Sequence, residues 1–181
     1  MKGVHVLLAT AVLFATMTGV ARAAQVEVGA SLVSANIGVG EDNEGSTIGI
    51  PSGGFGVFQP GLFASIFVDP RLAIEPQIGL IWVGANGESF HLLHGGVQVD
   101  YFVMGATRRS PYVFAAVGVI DVSETDESPT SISGGAGYRV PVGDRLTVRF
   151  DARFSHFTSR GGGNAFNTLS VALSLGGIFG R

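Results

Sequence analysis

Hydrophobic and polar residues alternate with a period of two along much of the chain, and this period predicts β-strands. The clearest segment is 145–157, in which five apolar residues fall on one face: Leu146, Val148, Phe150, Ala152 and Phe154. The other face carries arginine, threonine, aspartate and serine. Because successive side chains of a strand point to opposite sides, the two sets would lie on opposite faces of a sheet. The last segment of the chain repeats the pattern.

Eight strand segments follow from the alternation: 25–38, 55–68, 72–84, 89–104, 111–122, 131–141, 145–157 and 167–180. Five alternate cleanly, and three do not. The first changes face near Leu32, which a β-bulge would explain, while 55–68 and 111–122 are apolar on both faces. Pro60 and Pro76 lie inside predicted strands, where proline removes a donor from the hydrogen-bond ladder.

The connections between the segments alternate in character. Turns of a few residues follow the second, fourth and sixth segments, and polar loops follow the others, at 39–54, 85–88, 123–130 and 158–166. An even number of strands joined in this way is typical of an outer-membrane barrel, and the strands are long enough to cross a bilayer at a tilt of about 45°. The predicted fold class is therefore all-β: an eight-stranded antiparallel up-and-down transmembrane β-barrel over residues 24–181.

Composition favours the membrane over water as the surroundings of this barrel. Hydrophobic residues make up 46% of the chain and charged residues 14%, and there are 28 glycines. After residue 24 no lysine remains, and the polar strand faces carry glycine and serine, which suit the crowded interior of an eight-stranded barrel. A soluble periplasmic barrel that binds an apolar ligand, as lipocalins do, is the alternative, supported by the two segments with apolar residues on both faces.

The N-terminus carries the pattern of a secretory signal peptide, Met1–Ala23. Lys2 supplies the positive charge, Val4–Val20 is the apolar helical region, and Ala21-Arg22-Ala23 predicts cleavage between Ala23 and Ala24. An uncleaved anchor helix is the alternative. Cleavage would leave nine arginines against 14 acidic residues, a net charge of −5, so no basic surface for nucleic acid is expected.

The polar faces also bring charged residues to the barrel interior. Glu75, Asp100 and Asp151 would face Arg139, Arg149 and Arg153 across the lumen. Because an unpaired charge in a poorly hydrated interior is costly, we expect an ion-pair network that closes the barrel. The alternative is a small gated channel in which these groups rearrange, and conductance opened by Arg149→Ala would support it.

The sequence offers few other candidates for a metal site or a catalytic site. His91 and His94 form an H-x-x-H sequence, but residues three apart on a strand point to opposite faces. Two acidic loops, Glu41–Glu44 and Glu124–Glu127, offer oxygen atoms without the spacing of a calcium loop. The sequence has no cysteine, and we expect no metal, no cofactor and no catalytic site.

Several phrases resemble the OmpA-like and OmpX-like family of outer-membrane β-barrel domains. Pro111–Gly118, Gly135–Arg139 and Leu146–Arg153 resemble strands of that family. The tail resembles the signal read by the outer-membrane assembly machinery, with alternating apolar residues and a near-terminal aromatic: Leu169, Val171, Leu173, Leu175 and Phe179. The resemblance implies a monomer with extracellular loops and periplasmic termini. Its partners would be outer-membrane lipid, lipopolysaccharide and that machinery, and its role structural or surface-interacting.

A second resemblance concerns the segment Arg153–Ser159, which is similar to a stretch of lipid A deacylases, also small outer-membrane barrels. That family implies a serine nucleophile, a histidine base and a downstream acid. Here His156 is present, Thr158 stands where the family has serine, and no acidic residue follows Asp151. An enzyme acting on outer-membrane lipid is therefore kept as an alternative function.

Overall fold

The computed structural model describes residues 25–39, 46–49, 61–85, 88–122, 128–158 and 165–180. The predicted signal peptide, its cleavage site and both acidic loops lie outside these ranges. None of the described residues belongs to a helix long and apolar enough to cross a membrane.

The described residues form nine strands in one closed antiparallel sheet. They are β1 (Val26–Val39), β2 (Ser46–Gly49), β3 (Leu62–Asp69), β4 (Leu72–Ala85), β5 (Glu88–Phe102), β6 (Ser110–Val122), β7 (Thr130–Val142), β8 (Leu146–Thr158) and β9 (Phe166–Phe179). Each of β4 to β8 pairs with its two neighbours along the chain, and β3 pairs with β4 and with β1. β1 also pairs with β9 over its whole length, from Val26↔Phe179 to Val39↔Asn167. The sheet is thus a barrel, which confirms the predicted fold class.

The barrel has eight positions around its circumference, because β2 and β3 share one of them. β2 pairs with Ser34–Ile37 of β1, and β3 pairs with Val26–Ala30 of the same strand. The predicted loop 39–54 is wrong where it includes the strand Ser46–Gly49. Of the strand predicted at 55–68, the described part is Leu62–Asp69, with Gly61 outside it. The sequence between them contains Pro51, Pro60 and several glycines, residues that weaken a hydrogen-bond ladder; residues 50–60 lie outside the described ranges.

Local irregularities occur where the sequence predicted them. The register between β1 and β9 shifts between Ser31 and Val33, so Leu32 is an extra residue, and the predicted bulge is confirmed. Pro76 stays inside β4, opposite Val97 of β5. On its other side the pairing with β3 is interrupted between Gln77 and Ile74, as expected for a residue with no N–H.

The apolar faces of the strands point outward, and the polar faces point into the lumen. On the outer surface Ile132 is 69% exposed, Val117 60% and Phe150 53%, whereas Arg149 and Glu75 inside are each 2% exposed. This is the reverse of a water-soluble barrel, since an apolar exterior is stable only against lipid hydrocarbon. The outward apolar face therefore argues against the soluble lipocalin-like alternative.

Two ends of the barrel can be distinguished by their connections. At one, called here the turn end, residues 70–71, 103–109 and 143–145 join neighbouring strands. At the other, the loop end, the connections are 40–45, 86–87, 123–129 and 159–165. The 103–109 connection, predicted at 105–110, folds across the barrel mouth, where Ala106 is buried and its N–H donates to Pro70 O at 2.7 Å.

Candidate functional site

The middle of the lumen is filled by a cluster centred on Arg149. Its Nη1 lies 2.5 Å from Glu75 Oε2 and its Nη2 lies 3.6 Å from Asp100 Oδ2. The same guanidinium donates through Nε to the Tyr112 hydroxyl at 3.0 Å and through Nη1 to Ser65 at 3.1 Å. β8 thus projects one cation onto acceptors from β3, β4, β5 and β6, so a single side chain links five strands across the barrel.

Amide side chains extend this cluster toward Arg153. Gln98 donates to Asp100 Oδ1 at 2.6 Å, and Gln77 donates to Glu75 Oε1 at 2.7 Å and to Gln98 Oε1 at 3.0 Å. Arg153 Nη2 donates to the side-chain oxygens of Gln98 and, at 3.3 Å, of Gln77. The space left among these groups is about 10 Å³, about the volume that one water molecule needs.

A second charged layer closes the turn end. Arg139 Nη2 lies 2.6 Å from Glu27 Oε2, and its Nη1 donates to the carbonyl oxygen of Ala106 in the 103–109 connection. Thr147 donates to the other carboxylate oxygen of Glu27 at 2.6 Å. Since both charged side chains are fully buried, this layer holds the folded connection against the barrel mouth.

Aromatic rings inside the barrel pack against the arginines. The guanidinium of Arg149 lies 4.7 Å from the ring centre of Phe63 and 5.0 Å from that of Tyr112. Arg153 lies 4.9 Å from Phe114, and Arg139 lies 5.6 Å from Phe67. These distances suit cation–π attraction. They also explain why the segments 55–68 and 111–122 had apolar residues on both faces: their inner aromatics are partners of lumen cations.

The loop half of the lumen is lined by smaller groups. Hydroxyl side chains of four strands are buried there: Ser34, Ser131, Ser133, Ser155, Thr168 and Ser170. The buried His94 faces Gly118, where a Cβ would lie 2.6 Å from its Nε2. Leu92, Ile120 and Phe157 form an apolar cluster above this layer, with Phe166 stacked on Phe157 at 4.6 Å between ring centres.

The predicted lumen residues are brought together only in part. Arg149, Glu75 and Asp100 meet, but Arg139 pairs with Glu27, which was not in the predicted set. Asp151 accepts a hydrogen bond from the Tyr112 hydroxyl, and the hydrogen bonds of Arg153 described above go to amides. The sequence contained the information needed to place Glu27 in the lumen, since it lies between Val26 and Val28 on the polar face of its strand. The amides of Gln77 and Gln98 carry no charge, so nothing in the sequence indicated their part in the cluster.

A polar cluster lies on the outer surface at the loop end. His156 Nδ1 is 2.8 Å from Asn167 Oδ1, and the hydroxyl groups of Thr158 and Thr130 are 2.8 Å apart. His156 and Thr158 are exposed and project from the same side of β8. Asn167 was absent from the sequence-based candidates because only carboxylates were considered as partners of the histidine. No group of three His, Cys, Asp or Glu side chains within the described ranges could hold a metal ion.

Comparison with known proteins identifies the architecture. The outer-membrane protein OprG of Pseudomonas aeruginosa is similar in structure, with a TM-score of 0.53 at 10% identity over 88% of this chain and 97% of that one. The outer-membrane protein AlkL, solved in lipid bilayers, gives 0.50 at 13% identity over 88% and 92%. Ail of Yersinia pestis, the attachment invasion locus protein, gives 0.47 at 12% over 87% and 99%.

The chain has the fold of small outer-membrane β-barrels. At these identities the likeness to OprG and AlkL concerns the fold alone. No protein-family model matches the sequence, and no curated protein matches it either. The expected relation to the OmpA-like family is therefore supported only at the level of a small outer-membrane barrel.

Proposed function

We propose that this chain is a non-enzymatic integral protein of the outer membrane with a structural or surface-interaction role, whose lumen is closed by its ion-pair clusters. The observation that carries the proposal is the inverted barrel: an apolar exterior around a charged, filled interior. Arg149 and Arg139 anchor two stacked layers in which the carboxylates of Glu75 and Glu27 are both buried. Among the described residues these layers fill the middle and the turn end of the lumen, so the interactions of the barrel would take place on its surface and loops.

Two measurements test this proposal. The protein should remain with membranes until detergent is added, and unheated samples should run faster on gels than heated ones because the barrel stays folded. Recovery in a soluble fraction without detergent would refute the membrane location.

Conductance tests the closed lumen. In planar bilayers the wild-type protein should give no steady current above that of the bare membrane. The same baseline for Arg149→Ala would support a structural plug, whereas stepwise currents in that variant would support the gated channel instead.

A second candidate function is hydrolysis of lipid esters at the loop end. The observation that favours it is the His156–Asn167 contact on the exposed outer surface. A histidine whose ring contacts a side-chain oxygen, with a hydroxyl on the same strand face, supplies the residue types of a nucleophile, a base and an orienting group. Thr158 lies two residues from His156 on the same strand face, and its hydroxyl also contacts Thr130.

Mixed micelles that contain an acylated lipid A distinguish the two candidates. Release of fatty acid by the wild-type protein, abolished in His156→Ala and Thr158→Val but kept in Thr130→Val, would establish the enzyme. Equal background release from all four proteins would leave the non-enzymatic barrel.

A further inference from the structure

A cleft of about 600 Å³ lies on the outer surface at the turn end, where β9 ends beside the 143–145 turn. One side of the cleft is apolar and the other is charged. Leu146 and Phe179, which are 47% and 61% exposed, stand on the apolar side. Asp144 and Arg145, both exposed, are on the other.

The cleft exists because Gly177 has no side chain. Along β9 the outward row of apolar residues includes Leu175 and Phe179, but Gly177 occupies the position between them. Gly177 is the register partner of Leu146 on β8, so the outer surface has a gap beside that leucine. The Phe179 ring leans over the gap, since a Cβ on Gly177 would lie 3.3 Å from it.

The charged side of the cleft is fixed by the backbone. The N–H of Ile178 donates to the carbonyl oxygen of Arg145 at 2.8 Å, which ties the turn to the end of β9. Gly143 adopts a φ of 70° in this turn, a conformation that favours glycine. Asp144 and Arg145 thus line the cleft from this turn, where the apolar exterior of the barrel ends.

We propose that this cleft binds a phospholipid whose zwitterionic head group carries a primary ammonium, the phosphatidylethanolamine class. Arg145 would bind the phosphate, as guanidinium groups do through paired hydrogen bonds, and Asp144 would accept from the ammonium. An acyl chain would lie in the gap at Gly177, against Leu146 and Phe179. This inference rests on the proposed membrane location.

Native mass spectrometry of the full chain in detergent, with added phospholipid, tests the proposal. One phosphatidylethanolamine molecule should be retained, and phosphatidylcholine with the same acyl chains should be retained less because its ammonium has no N–H. Arg145→Gln and Gly177→Val should each lower retention about tenfold, the former by removing charge-assisted hydrogen bonds and the latter by filling the gap. Asp144→Asn should remove the preference for phosphatidylethanolamine over phosphatidylcholine.

Arg71→Gln is the matched control, because Arg71 follows Asp69 in another turn at the same end, outside the cleft. It should retain lipid like the wild type, and faster migration of unheated samples on gels should verify that every variant is folded. Equal retention of phosphatidylcholine, stronger retention of phosphatidylglycerol, or no effect of both Arg145→Gln and Gly177→Val would overturn the proposal. A chain soluble without detergent would instead overturn the membrane location.

Discussion

At the scale of single residues, Arg149 is the side chain whose contacts hold the charged cluster of the lumen together. Arg149→Met would leave the buried Glu75 carboxylate without its cation, and removing one partner of a buried ion pair costs about 3–5 kcal/mol. We expect the free energy of unfolding to fall by that amount. Denaturant unfolding in phospholipid micelles, followed by the fluorescence of the single tryptophan, Trp82, measures it.

The double variant Glu75→Gln/Arg149→Met serves as the control for that effect. Since the uncharged glutamine needs no cation, the double variant should lose less than the sum of the two single variants. A loss below about 1 kcal/mol in Arg149→Met, the size expected of an exposed pair, would contradict the role given to this arginine.

Two adjacent glycines of β7 should respond differently to the same substitution. A Cβ on Gly135 would overlap the carbonyl oxygen of Ala152 and the Phe114 ring, while one on Gly134 would meet only Phe114 O at 3.7 Å. We expect Gly135→Ala to lower the free energy of unfolding by about 1–3 kcal/mol through overpacking, and Gly134→Ala to leave it unchanged. The same unfolding assay compares them, and equal effects would refute the inner packing described.

Charged residues of the lumen could be predicted because each occupies the polar face of an alternating strand. The pairing among them could not, since it depends on which strands face each other across the barrel and at what height. Arg139 therefore meets Glu27 of a strand distant in sequence. The roles of Gln77 and Gln98 in the network could not be predicted from the sequence. A neutral amide needs no counter-ion, so its partner is known only once the arginine beside it is located.

At the scale of strands, the bulge in β1 separates two halves of opposite alternation. Before it Glu27 and Ser31 are buried, and after it Ser34 and Asn36 are. Leu32 is the unpaired residue between them, because Ser31 pairs with Ser174 and Val33 with Leu173. Deletion of Leu32 would restore a continuous period of two, so we expect the variant to fold, with gel mobility like that of the wild type.

Deletion of Ala152 from β8 is the matched control. Ala152 pairs with Ala136 and Val171 on either side, so its loss would turn Arg153 and the residues after it from the lumen to the lipid face. This variant should fail to fold in micelles. Loss of folding in the Leu32 deletion as well would mean that the bulge itself is needed.

Seven of the eight predicted strands agree with the structure to within two residues at each end, because turn and loop residues mark the strand ends even where the alternation is not clean. The exception is the position shared by β2 and β3, where four residues pair with the loop half of β1. A strand of four residues is too short to show a period of two in the sequence. The prolines between β2 and β3 also gave no indication that these two strands share one position around the barrel.

At the scale of the whole molecule, the decisive question was which face points outward, and periodicity alone cannot answer it. The glycine- and serine-rich polar faces and the absence of lysine after residue 24 favoured a lumen rather than a water-facing surface. The exposed apolar exterior agrees with that choice. The aromatic residues on the inner faces favoured the soluble, ligand-binding alternative instead. In the sequence, an inward ring that packs on a guanidinium cannot be distinguished from one that lines an apolar ligand pocket.

The orientation of the barrel in its membrane gives the last prediction: the loop end faces the outside of the cell and the turn end the periplasm. The chain has no cysteine, so a single introduced thiol reports its own position. Asp126→Cys, in the 123–129 connection, should react with a membrane-impermeant maleimide on intact cells. Arg108→Cys, in the exposed part of the 103–109 connection, should react only after the outer membrane is permeabilised. Labelling of Arg108→Cys alone on intact cells would mean that the orientation is reversed, and labelling of neither variant, even after detergent extraction, would mean that the thiols are buried.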